Sequence, residues 1–476
     1  MLMRIEEDFL GKVEVPDEAY YGSFTVRARA VFKLSGLGVD PELIRSVALI
    51  KRCAAVVNKR LGKLDAVTAD AIVKAVDSVL AGALFRDFLI DAFQAGAGTP
   101  LHMNVNEVIA NRAEELLGGK KGQYKMVHPN NHVNMSQSSN DVVPTAIRIA
   151  GIRSAYSLIE EAKSLQKILL KKAEEKDNIL TLKIGRTHLQ DAVPMTYSQT
   201  FSSWARAIEK DIVEMEKALD CMRELGIGGT ATGSGITAHP KFREMIVEEL
   251  NKSTEPSLEL RMADDPVEMA QDMNDFTTLS AALRRYAITL NRIANDLRLL
   301  VSGPKGGIGE IVIPEVEPGS SLMPGKINPS VPEAVNMVCW QVMGNDQAVT
   351  LAAQSGQLEL NFATPLIAHN ILQSERLLTN CSRMFREHCI EGMKIDKTRV
   401  SENFERSFGY ATALNPYLGY KEVSLLVREA LAKKITLKQL IVQKKILSES
   451  DLEKIISKAT GPSEVDKEIL KRIKKK

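Results

Sequence analysis

From about residue 145 onward, apolar residues recur at intervals of three or four positions, which is the spacing of an α-helix. Helices of about 30 residues are near 45 Å long, well above the usual globular length, and strand-like alternation is scarce. The pattern predicts a mainly α protein with a central bundle of long helices. The long periodic stretches cover Thr145 to about Asp177, Ser198 to Leu225, Pro266 to Ser302, Val331 to Gly356 and Pro365 to Gly392.

The two ends of the chain have a different texture. Residues 1–140 mix short helical patterns with loops that contain Gly and Pro, whereas the end of the chain reads as a small set of short helices. Thr436 and Ser450 each begin a sequence typical of a capping box at a helix start. We therefore predict a mixed, mostly helical N-terminal domain (1–140), the long-helix bundle (141–394) and a small C-terminal helical domain (395–476).

Charge and cysteine content narrow the class of protein. Lys and Arg number 62 against 60 Asp and Glu, a balance that gives no reason to expect a nucleic-acid or membrane partner. The five cysteines are widely spread, with no C-x-x-C pair, which is typical of reduced thiols in a cytoplasmic protein. The acidic start lacks the apolar stretch of a signal peptide, and no run of 18 charge-free apolar residues predicts a membrane span.

Four segments between the helical patterns have little charge but many hydroxyls, amides and glycines. Each has a structural interpretation: Ser138–Asp141 could cap a helix, Gly319–Ser321 could be a surface loop, and His188 could join a salt-bridge cluster. Their shared chemistry instead favours a small anionic ligand. The sequence shows no metal-ligand cluster and no nucleotide-binding motif, so we expect no cofactor. The segments are Gln94–Thr99, Asn134–Asp141, Gly185–Asp191 and Pro318–Pro329.

The segment Gly319–Asn328 resembles the signature of the fumarase/aspartase superfamily, and the other three segments resemble the remaining active-site segments of that superfamily in order and spacing. The resemblance extends from Arg4 to about Ile456. It implies a homotetramer that pools its long helices into one helical core, with each active site built from three subunits.

The superfamily eliminates a group HX across a Cα–Cβ bond of a dicarboxylate to give fumarate or a fumaryl product. The resemblance implies that Ser320 is the general base, with its pKa lowered by loop N–H groups and Lys326. It implies further roles for residues from the other segments. Thr187 and His188 would complete the pocket from another subunit, Lys326 and Asn328 would bind one carboxylate, and Thr99, Ser138, Ser139 and Asn140 would hold the other carboxylate and the leaving-group region.

Two substrates fit the resemblance, L-aspartate losing ammonia and L-malate losing water. Ala97 favours L-aspartate, because a departing hydroxide needs a proton donor beside it and alanine has no polar atom. Pro329–Glu333 also looks like aspartase, whereas Val127–Asn130 and the Ser138–Ser139 pair look more like class II fumarase. Weighing Ala97 and the run Val331–Glu333 above the fumarase-like features, we predict an aspartate ammonia-lyase.

His102 and Thr237 fit neither group, since both groups usually have Asn at these positions. His102 could tune the pH dependence of the site or pack behind it. A third interpretation is a non-catalytic protein like the lens crystallins of the superfamily. It is disfavoured because Ser320, Lys326 and His188 are all present.

Overall fold

The computed structural model describes residues 2–474 and is mainly α, with 61% of the chain in helices. The helices are α1 (Ser23–Val31), α2 (Pro41–Arg60), α3 (Ala66–Leu80), α4 (Thr99–Leu116), α5 (Ser139–Glu174), α6 (Lys176–Leu180), α7 (Tyr197–Met222), α8 (Phe242–Lys252), α9 (Glu268–Gln271), α10 (Asn274–Leu300), α11 (Ser330–Ala353), α12 (Thr364–Phe385), α13 (Lys397–Arg406), α14 (Asn415–Leu418), α15 (Tyr420–Lys433), α16 (Leu437–Gln443), α17 (Glu449–Ser457) and α18 (Lys467–Lys474). Short 3-10 or π segments occupy Phe85–Asp87, Pro129–Val133, Arg386–Ile390 and Gly409–Leu414.

The strands form small two-stranded sheets. Two of them are antiparallel hairpins of six or seven residues per strand, and the other two pair strands of two residues each. The strands are β1 (Met3–Asp8), β2 (Gly11–Pro16), β3 (Leu182–Thr187), β4 (Gln190–Thr196), β5 (Glu224–Leu225), β6 (Arg261–Met262), β7 (Ile311–Val312) and β8 (Lys394–Ile395), paired in the order β1–β2, β3–β4, β5–β6 and β7–β8.

All five predicted long stretches contain a long helix. The bounds of α7 and α11 agree with the prediction to within three residues. Helix α5 begins earlier than predicted, at Ser139, with Pro144 inside it. The stretch predicted from Pro266 is not one helix, because Asp272 caps the start of α10 through an Asn274 N–H bond of 2.6 Å.

The chain divides into two compact units that are not contiguous in sequence. Unit 1 comprises the residues up to Glu160 together with Asp211–Ile288 and Val338–Asn380; unit 2 comprises Glu161–Lys210, Thr289–Met337 and the residues from Cys381 onward. Each long helix, from α5 to α12, therefore contributes residues to both units. The three-domain division remains a prediction.

In the C-terminal part of unit 2, helices α15, α16 and α17 bury an apolar cluster that includes Leu426, Leu440 and Leu452. The predicted capping box at Thr436 is confirmed, with its side chain and that of Gln439 each bonded to the other's backbone. The prediction for Ser450 is wrong. Ser448 caps α17 by accepting the N–H of Asp451, because the chain turns two residues earlier than predicted.

Cys53, Cys339, Cys381 and Cys389 are buried, whereas Cys221 is partly exposed. None of the helices between residues 2 and 474 combines the length and the apolar character that crossing a membrane requires.

Candidate active site

Unit 1 contains a cavity of about 520 Å³ with predicted binding residues in its wall. Thr99, Ser138 and Ser139 all line it, and so does His102. The sequence segments Gln94–Thr99 and Asn134–Asp141 therefore meet in space, as a shared ligand site requires. Asn140 does not line this cavity, because its side-chain amide turns to donate a 2.8 Å hydrogen bond to the carbonyl of Ala231.

Thr99 is the first residue of α4, and the loop before it has a left-handed backbone at Gly96, Ala97 and Gly98. A side chain at Gly98 would lie 2.8 Å from Val143, so glycine is required there for space as well as for conformation. The Thr99 hydroxyl donates a 2.7 Å hydrogen bond to the carbonyl of Gly96, which fixes its rotamer at the cavity wall.

Ala97 is 1% exposed and does not line the cavity. Its methyl group is packed inside unit 1. Within this unit, Ala97 therefore makes no contact with the cavity that would support the predicted effect on the leaving group.

Ser138 caps helix α5. Its hydroxyl accepts the Asn140 N–H at 3.3 Å, and Asp141 accepts the Ser138 N–H at 2.9 Å. This reciprocal arrangement satisfies free backbone donors at the helix start, so the capping interpretation is confirmed. The same serine lies in the cavity wall, so capping and ligand binding are compatible.

Asp141 holds the start of α5 to the following loop of unit 1. Its second carboxylate oxygen accepts the N–H groups of Gly228 at 3.0 Å and Thr230 at 2.9 Å. Burial raises the pKa of Asp141 to about 6, against the opposing effect of these backbone hydrogen bonds. Sequence analysis missed this role, although an Asp three residues after a candidate cap is a recognised signal. Thr237 is exposed and is not part of the cavity wall.

A buried polar group lies directly behind the cavity wall. The His102 side chain is 1% exposed, and its Nδ1 lies 2.8 Å from the Ser139 hydroxyl. Its Nε2 contacts the amine of Lys51, a fully buried lysine of α2. The prediction left open whether His102 faces the pocket or packs behind it, and the structure shows contact with both sides. Lys51 was missed, although a lysine inside the apolar run Ala48–Val57 was a visible signal.

His128 also lines the cavity and directly precedes the π segment Pro129–Val133. Its Nδ1 accepts the N–H groups of Asn130 and Asn131 at 3.1 and 3.3 Å. Burial, followed by the nearby His132, lowers the pKa of His128. The arrangement leaves the second ring nitrogen available, in the segment that resembles the second anion site of fumarases.

The predicted base, Ser320, lies in unit 2 on a loop between β7 and α11. Its hydroxyl oxygen accepts the backbone N–H groups of Leu322 at 3.1 Å and Met323 at 2.9 Å. Hydrogen bonds of this kind stabilise a negatively charged oxygen. The loop N–H groups predicted to act on Ser320 are therefore present.

The loop 319–328 is closed on itself by two hydrogen bonds. The Gly319 N–H donates to the carbonyl of Lys326 at 2.9 Å, and the Asn328 side-chain amide donates to the carbonyl of Gly319 at 2.8 Å. A Cβ at Gly319 would lie 2.4 Å from the Lys326 carbonyl, so the loop closes only around glycine. Asn328 thus holds the loop, while the side chain of Lys326 is exposed.

Thr187 and His188 occupy the exposed end of the β3–β4 hairpin in unit 2, where His188 and Leu189 have positive φ. The alternative interpretation of His188 is a salt-bridge cluster with Arg186 and Asp191. The guanidinium of Arg186 instead pairs with Glu310. Although burial opposes the change, hydrogen bonds from Arg186, Tyr197 and Asn403 lower the pKa of Glu310. These contacts fix the base of the hairpin and leave its end exposed.

The predicted site residues thus form one group in unit 1 and two groups in unit 2. Thr99, Ser138 and Ser139 share one cavity, and Ser320 shares a loop with Lys326 and Asn328. Between residues 2 and 474, no group of three or more His, Cys, Asp or Glu side chains is placed to hold a metal ion.

Comparison with known proteins identifies the family. The family model described as "Lyase" matches residues 11–344, and the one described as "Fumarase C C-terminus" matches residues 411–460. The chain is 43% identical to the aspartate ammonia-lyase of a Bacillus species over 96% of both chains. It is 41% identical to the class II fumarate hydratase of Helicobacter pylori, over 97% of this chain and 100% of that one.

The fold also matches a solved structure. The crystal structure of a fumarate lyase:delta crystallin from Brucella melitensis bound to cobalt superposes with a TM-score of 0.93 at 42% identity, covering 97% of this chain and 100% of that one. Together with the two family models, this similarity extends over nearly the whole chain. The chain belongs to the fumarase/aspartase superfamily of lyases.

Proposed function

We propose that this protein is an aspartate ammonia-lyase, which converts L-aspartate reversibly to fumarate and ammonia. The proposal depends mainly on the two backbone N–H groups that donate to the Ser320 hydroxyl oxygen. Serine can act as a base only as an alkoxide, and an alkoxide forms only where preorganised donors stabilise its charge. The choice of L-aspartate is supported by the 43% identity to an aspartate ammonia-lyase over 96% of the chain.

The proposed chemistry begins at Cβ of the substrate. Ser320 removes a proton from Cβ, and the electron pair moves into the adjacent carboxylate to give an aci-carboxylate. Cleavage of the C–N bond returns that pair as the C=C double bond, while ammonia leaves. Preorganised donors must hold the additional charge of the intermediate, and Lys326, Asn328, Thr187 and His188 are the residues proposed for the catalytic side.

The other substrate carboxylate and the leaving-group region are assigned to Thr99, Ser138, Ser139 and Asn140. Ser138 uses its oxygen as an acceptor in the helix cap, so its O–H proton is available to a carboxylate. The N-terminus of α5 adds backbone donors and a favourable dipole for an anion. Loop closure over the bound substrate would exclude water from the intermediate.

We also infer a homotetramer with active sites shared among three subunits. Helix α11 supports it, because Met337, Trp340 and Leu351 share one face and are 60%, 56% and 58% exposed in the single chain. An apolar face of this kind is typical of an interface.

Reassembly of Ser320→Ala subunits with His188→Ala subunits should restore part of the activity, whereas fully active monomers in sedimentation would contradict shared sites. The wide spacing of the five cysteines, with no C-x-x-C pair, supports a cytoplasmic location.

A class II fumarase is the second candidate, favoured by the 41% identity to the Helicobacter pylori enzyme and by the Ser138–Ser139 pair. A direct assay separates the two. The protein is incubated with L-aspartate or with L-malate, and fumarate is followed by its ultraviolet absorbance. We expect rapid fumarate formation from L-aspartate and little from L-malate; the reverse result would replace the proposal with class II fumarase, and inactivity on both would favour the remote crystallin-like interpretation.

A further inference from the structure

His102 joins a buried lysine to a hydroxyl of the cavity wall. One ring nitrogen contacts Lys51 Nζ, and the other lies 2.8 Å from Ser139 Oγ. Lys51 and His102 are 0% and 1% exposed, so solvent does not compete for these contacts. The direction in which protons are donated along this series of hydrogen bonds decides whether Ser139 offers the cavity a donor or an acceptor.

The surroundings of Lys51 offer a hydrogen-bond acceptor for each N–H of its charged form. Besides His102, its amine lies 2.9 Å from Asn134 Oδ1 and 2.9 Å from Gln137 Oε1. The orientation of both amides is fixed independently, because their NH₂ groups donate to backbone carbonyls of Gln137 and Val133. An ammonium has three N–H donors, and here it meets three acceptors if His102 Nε2 carries no proton.

This donor count determines the direction of the remaining hydrogen bonds from Lys51 through His102 to Ser139. With Nε2 as acceptor, the neutral imidazole carries its proton on Nδ1 and donates it to Ser139 Oγ. The Ser139 oxygen is then occupied as an acceptor, and its own O–H proton is directed to another partner. A neutral amine would still donate to both amide oxygens, but its lone pair would accept the proton of His102 Nε2. Nδ1 would then accept the Ser139 hydroxyl proton, and Ser139 would face the cavity as an acceptor.

Two electrostatic effects act on the pair. Burial lowers the pKa of Lys51, and the carboxylate of Asp141 opposes that change. Burial, followed by the charge of Lys51, lowers the pKa of His102, which keeps the imidazole neutral. A dicarboxylate in the cavity would add negative charge on the Ser139 side and favour the ammonium further.

We propose that Lys51 and His102 are positioning residues that direct the Ser139 hydroxyl to donate its proton to a carboxylate of the substrate. The buried ammonium thereby acts on the ligand through two hydrogen bonds without touching it. The inference deepens the proposed function, on which its choice of ligand rests.

Two substitutions of His102 separate its two contacts. In His102→Asn, the side-chain amide can take the position of Nδ1 and donate to Ser139, but it is too short for Lys51. In His102→Gln, the longer amide can reach Lys51 but offers nothing at the Nδ1 position. The probe is succinate, a dicarboxylate that cannot undergo the elimination, with its Kd measured by calorimetry and with KM and kcat for L-aspartate measured alongside.

We expect His102→Gln to weaken succinate binding about tenfold and to raise KM by a similar factor while kcat changes less than about twofold, which corresponds to the loss of one hydrogen bond. His102→Asn should stay within about threefold of the unmodified protein. Equal effects of both variants, or an unchanged Kd in His102→Gln, would overturn the proposal. Circular dichroism and sedimentation confirm that both variants fold and assemble.

The proton position is measured directly by ¹⁵N solid-state NMR of the histidine-labelled protein, with His102→Asn identifying the signal. We expect a neutral ring with the proton on Nδ1, and a proton on Nε2 would overturn the proposal. Loss of turnover on L-aspartate with the expected tautomer and succinate effect would refute the proposed function alone. Normal turnover with the opposite tautomer would refute this inference alone.

Discussion

The cavity wall of unit 1 and the loop 319–328 of unit 2 are held by different means. Behind the wall, Ser139 rests on the buried pair Lys51–His102, and Asp141 accepts three backbone N–H groups. The loop instead closes through bonds between its own residues, and Leu322 at its centre is 84% exposed. The conformation of the cavity wall therefore depends on buried side chains of unit 1, whereas the conformation of the loop depends mainly on hydrogen bonds within the loop.

The difference assigns a different physical task to each region. A buried polar network reorganises only at a high cost in free energy, so the wall can present fixed donors to a ligand. A loop that keeps its internal hydrogen bonds can move as one body, because its motion need not break them. Substitutions in each region can test this contrast.

The largest effect is expected from Ser320→Ala. Removal of the general base should lower kcat about 10³-fold, and the fold should be unchanged because the side chain packs against no core. Steady-state fumarate formation measures the effect, and Ser450→Ala, an exposed serine on α17, is the matched control. Turnover near that of the control would refute the assignment of the base.

Asn328→Ala tests whether the loop needs its own closure. The substitution removes the bond from the Asn328 amide to the Gly319 carbonyl, so the donors around Ser320 should lose their alignment. We expect kcat to fall about 10²-fold, measured in the same assay. A rise in KM with unchanged kcat would show that Asn328 acts only as a ligand of the substrate carboxylate and that the donors around Ser320 do not depend on its bond to Gly319.

Asp141→Asn tests the wall. The amide NH₂ would face backbone donors, and the mismatch should cost about 1–3 kcal/mol. We expect a lower melting temperature and about a tenfold higher KM for L-aspartate, measured by calorimetry and steady-state kinetics. The exposed Asp264→Asn provides the control for the charge change. If both variants behave alike, the wall does not depend on its buried carboxylate.

The smallest effect is expected at Glu375 of α12, a buried carboxyl that belongs to neither region. Neither of its side-chain oxygens has a hydrogen-bond partner, and burial raises the pKa of Glu375 well above the usual 4.5. A raised pKa contributes stability that is full below pH 4.5 and is lost as the pH rises towards the folded value. Glu375→Gln should therefore melt a few degrees higher than the unmodified protein at pH 8 and nearly equally at pH 5. A difference that is the same at both pH values would contradict this sign.

The fold could be predicted from sequence where the signal was local. Helix α7 follows directly from its apolar spacing, and the Thr436 cap follows from hydroxyl and amide placed three residues apart. The start of α5 was less accessible, because a proline inside the helix concealed it. The Ser450 cap failed because two serines compete nearby, and the turn geometry chooses between them.

The site was predictable as chemistry but not as contacts. The motif around Ser320 indicated a base with nearby N–H donors, and the structure places two of them. Nothing local predicts that Lys51 meets His102, since 51 positions separate them. The packing of Ala97 away from the cavity likewise depends on how the loop before α4 folds against Val143, which no periodicity reveals.

The exposed face of α11 has a consequence for how the stability of this protein should be understood. If Met337, Trp340 and Leu351 are covered by other subunits, part of the free energy of the native state comes from association and scales with the logarithm of protein concentration. Dilution then acts like a denaturant, and one melting temperature does not characterise the chain. In the proposed homotetramer, a substitution on this face would act at four symmetry-related positions at once, so that the assembly multiplies a small local defect.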